Sequence, residues 1–310
     1  MTIIRNEGQI NEHTYLIDAV HQGISNGYAV FLVKGRDGGT CLIDAGTKDS
    51  ARVIVEKLKT LEAWPVEKII FTHSHWDHTQ GIGVIREKAD EINKTPMVFA
   101  SEKAGPFLAD QSYNLCFGTD QAPYDNIAGI IPLKNGQFVE VGGNLKLQII
   151  DTPGHMVDHI SIWDEITENL IVGDAFGMKW WDNFFVPNPN SQFWNEKEFL
   201  NSVGIVKSLK PKSICLAHFG YLSGMDAQNF LDESVSFYMR WMEFFYKYSK
   251  RLDDTSFLVD RLWDEIYREY LDGFKELLQP GLTGAVELAA LAYAKQHSKS
   301  PGCVDGAARC

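Results

Sequence analysis

Thr72-His73-Ser74-His75-Trp76-Asp77-His78 places four side chains of metal-ligand type, His73, His75, Asp77 and His78, within six residues, directly behind the apolar run Lys68-Ile69-Ile70-Phe71. A short apolar run of this kind reads as a buried strand, and the C-terminal ends of such strands are where α/β proteins commonly place their chemistry. In a loop leaving that strand, His73 and His75 can point one way, while Asp77 and His78 turn toward a second point as a helix begins. Given the chain's own His and Asp content, chance would produce such a cluster in roughly one sequence per thousand or fewer. The same pattern recurs further along. Thr152-Pro153-Gly154-His155 follows the strand-like KLQIID (146–151), Gly173-Asp174 ends NLIVGD (169–174), and Ala217-His218 follows SICL (213–216).

The segments around these residues alternate short β-rich runs with turns. TYLIDAV (14–20), AVFLVKG (29–35) and TCLIDAG (40–46) read as strands. Val53, Ile54, Leu58 and Leu61 give helical spacing over about 50–62, with Pro65 closing the segment. A helix over 83–93, a strand at MVFA (97–100), a loop-rich stretch over 101–136, a strand at HISIW (159–163), an aromatic loop and a helix over 196–209 complete this part. After Tyr221 strand signals stop, and Phe230, Val235, Tyr238, Trp241, Phe244 and Tyr248 recur at three- and four-residue spacing. The expected organisation is a catalytic domain over 1–225, a helical C-terminal module over 226–297, and a loosely held tail over 298–310.

With 29 basic and 41 acidic residues the net charge is −12, which repels phosphate backbones and argues against a nucleic-acid partner. The opening segment shows no basic stretch followed by an apolar one, and no apolar run approaches membrane-spanning length. A cytoplasmic protein with no membrane partner is expected. The five cysteines are scattered, so no disulfide framework and no thiolate zinc site is expected.

The set His73, His75, Asp77, His78, His155, Asp174 and His218 resembles the five-part signature of the metallo-β-lactamase fold superfamily, over roughly residues 14–222. The resemblance implies an α/β (α+β) chain folded as a four-layer αβ/βα sandwich with a helical C-terminal module. It also implies two divalent metal ions. By position, His73, His75 and His155 would hold the first, Asp77, His78 and His218 the second, and Asp174 would bridge them. An aspartate at the bridging position is similar to the hydroxyacylglutathione hydrolase group. Asp44, in the Asp44-Ala45-Gly46 turn, resembles the turn acid that supports the site from behind its ligands.

Metal coordination brings the pKa of water to about 7, so hydroxide is available at neutral pH and no nucleophilic Ser or Cys is required. Asp77 and Asp174 are the carboxylates expected to take part in catalysis. The expected reaction is hydrolysis of an acyl thioester of acyl-CoA type, because a thiolate departs without a strong acid donor. Lactone or phosphodiester hydrolysis, and a non-hydrolytic di-iron protein that binds oxygen, are the alternatives. Zinc leads among the metals, with iron or manganese next, since imidazole and carboxylate suit all three. The expected partner is a small molecule with an apolar portion. Trp76, Trp180, Trp181, Phe184 and Tyr221 are candidates for its pocket wall, weighed against burial in the core. His159 reads as structural, and His13, His21 and His297 carry no spacing signal. Lys247, Lys250 and Arg251 are candidates for a CoA phosphate. The aromatic run over 237–248 fits either a homodimer interface or a cover over the metals.

Overall fold

The structure, a computed structural model, describes residues 3–4, 6–117, 123–181, 184–189, 192–271, 273 and 275–297. The expected tail over 298–310 and the side chains of Trp180 and Trp181 fall outside that description.

Strand Ala29–Lys34 shows how the sequence builds the sandwich. Its side chains alternate between two cores: Val30 and Leu32 enter one cluster, Phe31 and Val33 another. Such period-two burial on both faces is what a strand inside a covered sheet requires. Its sheet runs, in spatial order, Gly8–Gln9, Thr14–Asp18, Ala29–Lys34, Thr40–Ile43, Lys68–Ile70, Met97–Ser101 and Ile130–Leu133. The first three pairings are antiparallel and the last three parallel. Parallel neighbours need crossovers, and helices Ser50–Thr60 and Ile82–Asp90 supply two of them.

The second sheet runs Ile3–Ile4, Gly220–Ser223, Ser213–Leu216, Asn169–Ile171, Ile160–Asp164, Leu145–Asp151 and Phe138–Gly142. Its parallel pair, Asn169–Ile171 with Ser213–Leu216, is joined through helix Glu196–Leu209, which Asn195 caps by accepting the Glu198 N–H.

Phe31, Val33, Cys41, Ile43 and Ile70 of the first sheet meet Leu147, Ile149, Ile160, Ile162 and Cys215 of the second in one buried cluster. Outside the first sheet, Ile54 and Leu58 of one helix and Ile82 and Ile85 of another cover Ile17, Leu42 and Ile69. Outside the second, Phe199, Val203 and Val206 cover Leu170, Val172 and Ile214. The layers therefore stack helix, sheet, sheet, helix, each large apolar side chain contributing about 1.5–3 kcal/mol on burial.

Helix Gly224–Lys247 divides its apolar face between two cores. Ala227, Phe230, Leu231 and Tyr238 pack on the second sheet, while Trp241, Phe244 and Phe245 join Leu258, Leu262, Trp263, Leu282 and Val286 from the later helices. The aromatic density over 237–248 is thus consumed largely inside the chain. Trp241 Nε1 donates to the Tyr267 hydroxyl at 3.0 Å, and that hydroxyl donates to the Phe185 carbonyl at 2.7 Å.

The expected loop over 101–136 holds helix Gly105–Ala109, a 3₁₀ turn Gln111–Phe117 and the edge strand Ile130–Leu133, where Pro132 is tolerated because an edge position needs fewer ladder bonds. The expected aromatic loop is a hairpin of Met178–Trp181 with Phe184–Val186. Among the described residues, no helix is long and apolar enough to cross a membrane.

Candidate metal centre

The Thr72–His78 loop leaves strand Lys68–Ile70 at the seam of the two sheets. Its first residue is tied on both sides: the Thr72 carbonyl accepts the Ile160 N–H at 2.8 Å, and the Thr72 N–H donates to Asp44 Oδ1 at 2.7 Å. Asp44 ends the neighbouring strand with φ +64°, a left-handed conformation that Asp tolerates better than most residues. His75 then precedes the short helix Trp76–Thr79, which carries Asp77 and His78 and sets the His78 ring 4.1 Å from that of His73, centre to centre.

From these elements the fold assembles two groups able to hold a metal ion. One is His73, His75, His155 and Asp174, the other Asp77, His78 and His218, and the ligand atoms within each lie within 4.8 Å of one another. Five of the seven expected ligands, His73, His75, His78, His155 and Asp174, are at most 4% exposed, and the side chains of Asp77 and His218 are 11% and 14% exposed. Oδ2 of Asp174 lies 3.2 Å from His218 Nε2 and 3.7 Å from His155 Nε2, so one carboxylate oxygen stands between the groups.

His75 Nδ1 is 3.0 Å from both His73 Nε2 and His155 Nε2. A single imidazole nitrogen offers one proton or one lone pair, so it cannot serve both neighbours well. A cation bound by all three removes the conflict, since tetrahedral coordination at about 2.0 Å sets ligand nitrogens roughly 3.3 Å apart. His78 Nε2 and Asp174 Oδ1, 3.6 Å apart, are buried with no hydrogen-bond partner among the described residues. The donor set and these orphaned atoms fit metal ions.

The far nitrogens are held by oxygen. His73 Nδ1 lies 3.1 Å from Thr72 Oγ1, His78 Nδ1 2.8 Å from Asp44 Oδ2, and His155 Nδ1 3.0 Å from the Asn188 carbonyl. Such partners fix which nitrogen each ring presents to a metal. Asn188 also donates through Nδ2 to Asp174 Oδ2 at 3.0 Å.

Burial and neighbouring imidazoles hold His73 and His75 well below the usual histidine range, which keeps them neutral and able to ligate. Burial alone would lower His78 too, but Asp77, Asp44 and Asp174 outweigh it and hold its ring well above that range. Burial likewise opposes ionisation of Asp174, yet His218 and His78 carry its carboxyl well below the usual range. Burial and the charges of Asp77, Asp174 and Asp49 push the Tyr28 phenol upward.

Glycine is required at two points. A Cβ on Gly173, φ +51°, would lie 2.7 Å from His159 Nε2 and 2.8 Å from Thr72 Oγ1; one on Gly154, φ +142°, would lie 2.7 Å from the Phe199 backbone. Both glycines precede a candidate ligand, so backbone can approach closely there.

His159 belongs to neither group. Its Nε2 accepts the Asp174 N–H at 3.1 Å and its Nδ1 lies 3.0 Å from Thr152 Oγ1, a structural role as the sequence suggested. Two expected pocket residues belong elsewhere. Phe184 is fully buried in the C-terminal core, its ring 4.9 Å from that of Tyr267. Tyr221 packs between the sheets opposite Cys215. Trp76 does sit beside the ligands, 5.7 Å from His21 and 6.1 Å from Tyr124 between ring centres.

The other rings flanking the centre come from segments the sequence did not single out. Phe117 lies 4.9 Å and Tyr113 6.3 Å from His75, Phe193 lies 6.0 Å from Tyr113, and Tyr28 lies 4.9 Å from His218. The cations suggested for a CoA phosphate are largely committed: Lys247 donates to both oxygens of Glu265 at 2.9 and 2.8 Å, and Arg251 to Asp254 at 2.5 Å.

A helix–sheet–sheet–helix sandwich with clustered His and Asp at the strand ends along one seam is the architecture of metallo-β-lactamase-fold proteins. Residues 23–218 match the Metallo-beta-lactamase superfamily, and the chain belongs to it. A probable metallo-hydrolase of Streptococcus pyogenes is 28% identical over 144 residues, 45% of this chain and 58% of that one. A probable metallo-hydrolase of Methanocaldococcus jannaschii is 32% identical over 170 residues, 51% of this chain and 74% of that one. A hydroxyacylglutathione hydrolase of Rhodopseudomonas palustris is 27% identical over 138 residues, 44% of this chain and 43% of that one. The matched stretch therefore spans about half the length of the first and third of these relatives. Among solved structures, a metallo-β-lactamase family protein from Thermus thermophilus shares the fold with TM-score 0.65 at 20% identity, over 93% of this chain and 95% of that one.

Proposed function

We propose that the chain is a dinuclear metal-dependent hydrolase whose substrate is an acyl thioester of acyl-CoA type. The observation that carries the hydrolytic part is two adjacent ligand groups, with Asp174 Oδ2 of the first 3.7 Å from His155 Nε2 and 3.2 Å from His218 Nε2 of the second. His73, His75 and His155 would hold one ion, Asp77, His78 and His218 the other, with Asp174 common to both. When bound, two such ions supply Lewis acidity and bring the pKa of water there to about 7.

The chain's own residues do the rest. Thr72, Asp44 and Asn188 fix the ligand rings, so little reorganisation remains to be done during reaction. Asp77 and Asp174 balance cationic charge without spending it fully, which leaves positive potential for the oxyanion of a tetrahedral intermediate. Trp76, Tyr113, Phe117 and Phe193 supply aromatic surface near His75, suited to the apolar part of an acyl group.

Two points support a thioester. The hydroxyacylglutathione hydrolases among the relatives act, by name, on a thioester. A thiolate, with a free pKa of about 8.5, also departs without a strong acid. Thiol release from a panel of aliphatic and aromatic acyl-CoA esters tests the proposal. Turnover above that of His75→Ala supports it, and turnover no greater than that variant's on any ester rejects it. Zinc is the proposed native ion, with iron and manganese as the alternatives that metal analysis of the same preparation distinguishes.

A further inference from the structure

Tyr28 stands against the candidate metal centre with its hydroxyl uncommitted. Its ring is tilted on that of His218, centre to centre 4.9 Å. The placement is set by backbone, because the Ala29 N–H donates to the Ala217 carbonyl at 2.7 Å. That bond ties the residue after Tyr28 to the residue before His218 across the seam between the sheets. The Tyr28 carbonyl accepts the Ala19 N–H at 2.9 Å. On the outer side the His21 ring meets Tyr28 edge-on at 5.3 Å, and His21 Nδ1 is itself held 3.0 Å from Asp49 Oδ1 and 3.2 Å from Thr47 Oγ1.

Tyr28 is thus held between two rings and two backbone bonds, yet its O–H makes no hydrogen bond among the described residues. Packing alone would be served by phenylalanine. A phenol is protonated at neutral pH and donates one hydrogen bond, and a donor left open beside a catalytic cluster is complementary to an acceptor arriving from outside the chain.

We infer that Tyr28 is a catalytic residue, its O–H donating to the acyl carbonyl oxygen of the bound thioester and to the oxyanion which that oxygen becomes. This rests on the hydrolytic reading above. In the step it serves, the oxygen of water bonds to the acyl carbon while one proton leaves to solvent, and the carbonyl π pair moves onto oxygen. That pair returns as the C–S bond breaks, the thiolate departs with the bonding electrons, and the product acid releases its proton to solvent. Tyr28 keeps its own proton throughout. The hydrogen bond strengthens as charge builds on the oxygen, so it lowers the barrier more than it tightens ground-state binding.

Tyr28→Phe keeps the ring and removes only the hydroxyl. With wild type and variant loaded alike, kcat for thiol release falls about 100-fold or more, the range for loss of one oxyanion donor, while KM stays within about threefold. Metal content per chain is unchanged. Read by calorimetry without turnover, affinity for a phosphonate mimic of the tetrahedral intermediate falls at least about tenfold. A kcat and a phosphonate affinity both within about threefold of wild type overturn the inference, and so does a fall in metal content large enough to account for the lost turnover. Wild type that releases no thiol rejects the hydrolytic reading first, and this inference with it.

Discussion

Replacing Asp44 by asparagine keeps the side chain's shape and turns one acceptor oxygen into a donor. In the structure, Oδ1 of Asp44 accepts the Thr72 N–H at 2.7 Å, while Oδ2 lies 2.8 Å from His78 Nδ1 and 2.9 Å from Thr72 Oγ1. A backbone N–H can meet only an acceptor, so the amide oxygen of Asn takes the Oδ1 place and the NH₂ faces His78. His78 then presents a lone pair at Nδ1 and carries its proton on Nε2, the atom 3.6 Å from Asp174 Oδ1 that would otherwise coordinate. Metal binding must reverse that tautomer, give up the amide's hydrogen bond and leave the Nδ1 proton without an acceptor, about 1.5–3 kcal/mol in all. At about 1.4 kcal/mol per decade this weakens binding roughly 10- to 150-fold, in line with the roughly 10- to 100-fold losses usual for such supporting residues. Competition titration against a chromophoric chelator measures it directly. An Asp44→Asn affinity within about twofold of wild type would show that Asp44 does not set the His78 ring.

Gly173→Ala forces a Cβ to within 2.7 Å of His159 Nε2 at φ +51°. Strain and overpacking should cost about 2–4 kcal/mol and displace Asp174; denaturant unfolding and metal content check this, and unchanged values in both would contradict it. Trp241→Ala empties a fully buried site and leaves the Tyr267 hydroxyl without its indole donor. A loss of about 3–5 kcal/mol is expected by urea unfolding; a loss below about 1 kcal/mol would mean the C-terminal core is not packed as described. Burial raises the Asp158 carboxyl from 3.8 to about 6, with Ser74 partly offsetting it. The folded chain therefore holds that proton more tightly than the unfolded one. The stabilisation is complete below about pH 4 and is lost as pH rises through about 6, by about 3 kcal/mol. Relative to wild type, metal-free Asp158→Asn should gain stability over that interval, and parallel pH curves for the two proteins would exclude the assignment.

The candidate ligands were legible because they follow strands, Asp77 and His78 in the short helix beyond the first, and strands here announce themselves through apolar runs such as Lys68–Ile70 and Ser213–Leu216. The sandwich followed from the same runs, since strands buried on both faces demand layers above and below. Edge and hairpin strands were harder. Ile131 is 40% exposed beside Pro132, and Phe138 is 49% exposed in a strand whose partners Val139 and Val141 are buried, so neither segment shows a clean polar-to-apolar alternation. The hairpin at Phe184–Val186 is buried throughout, one side against Trp241 and Tyr267, which erases period two altogether. At Phe184 the pocket reading failed for a related reason. Phe184 lies ten residues after Asp174 in sequence, but the hairpin carries it into the C-terminal core. Tyr28 and Phe117 reach the centre through tertiary folding from segments with no motif. Asn188 holds both His155 and Asp174 from a Pro-Asn-Pro-Asn stretch that reads only as a turn.

Everything in the functional account depends on paired cations at Asp174, and elemental analysis of protein purified without chelators measures them directly. The account predicts about two equivalents of divalent transition metal per chain in wild type, and fewer in Asp174→Ala because both groups lose a shared ligand. Wild-type protein that carries no transition metal and takes up none on titration with zinc, iron or manganese would contradict it.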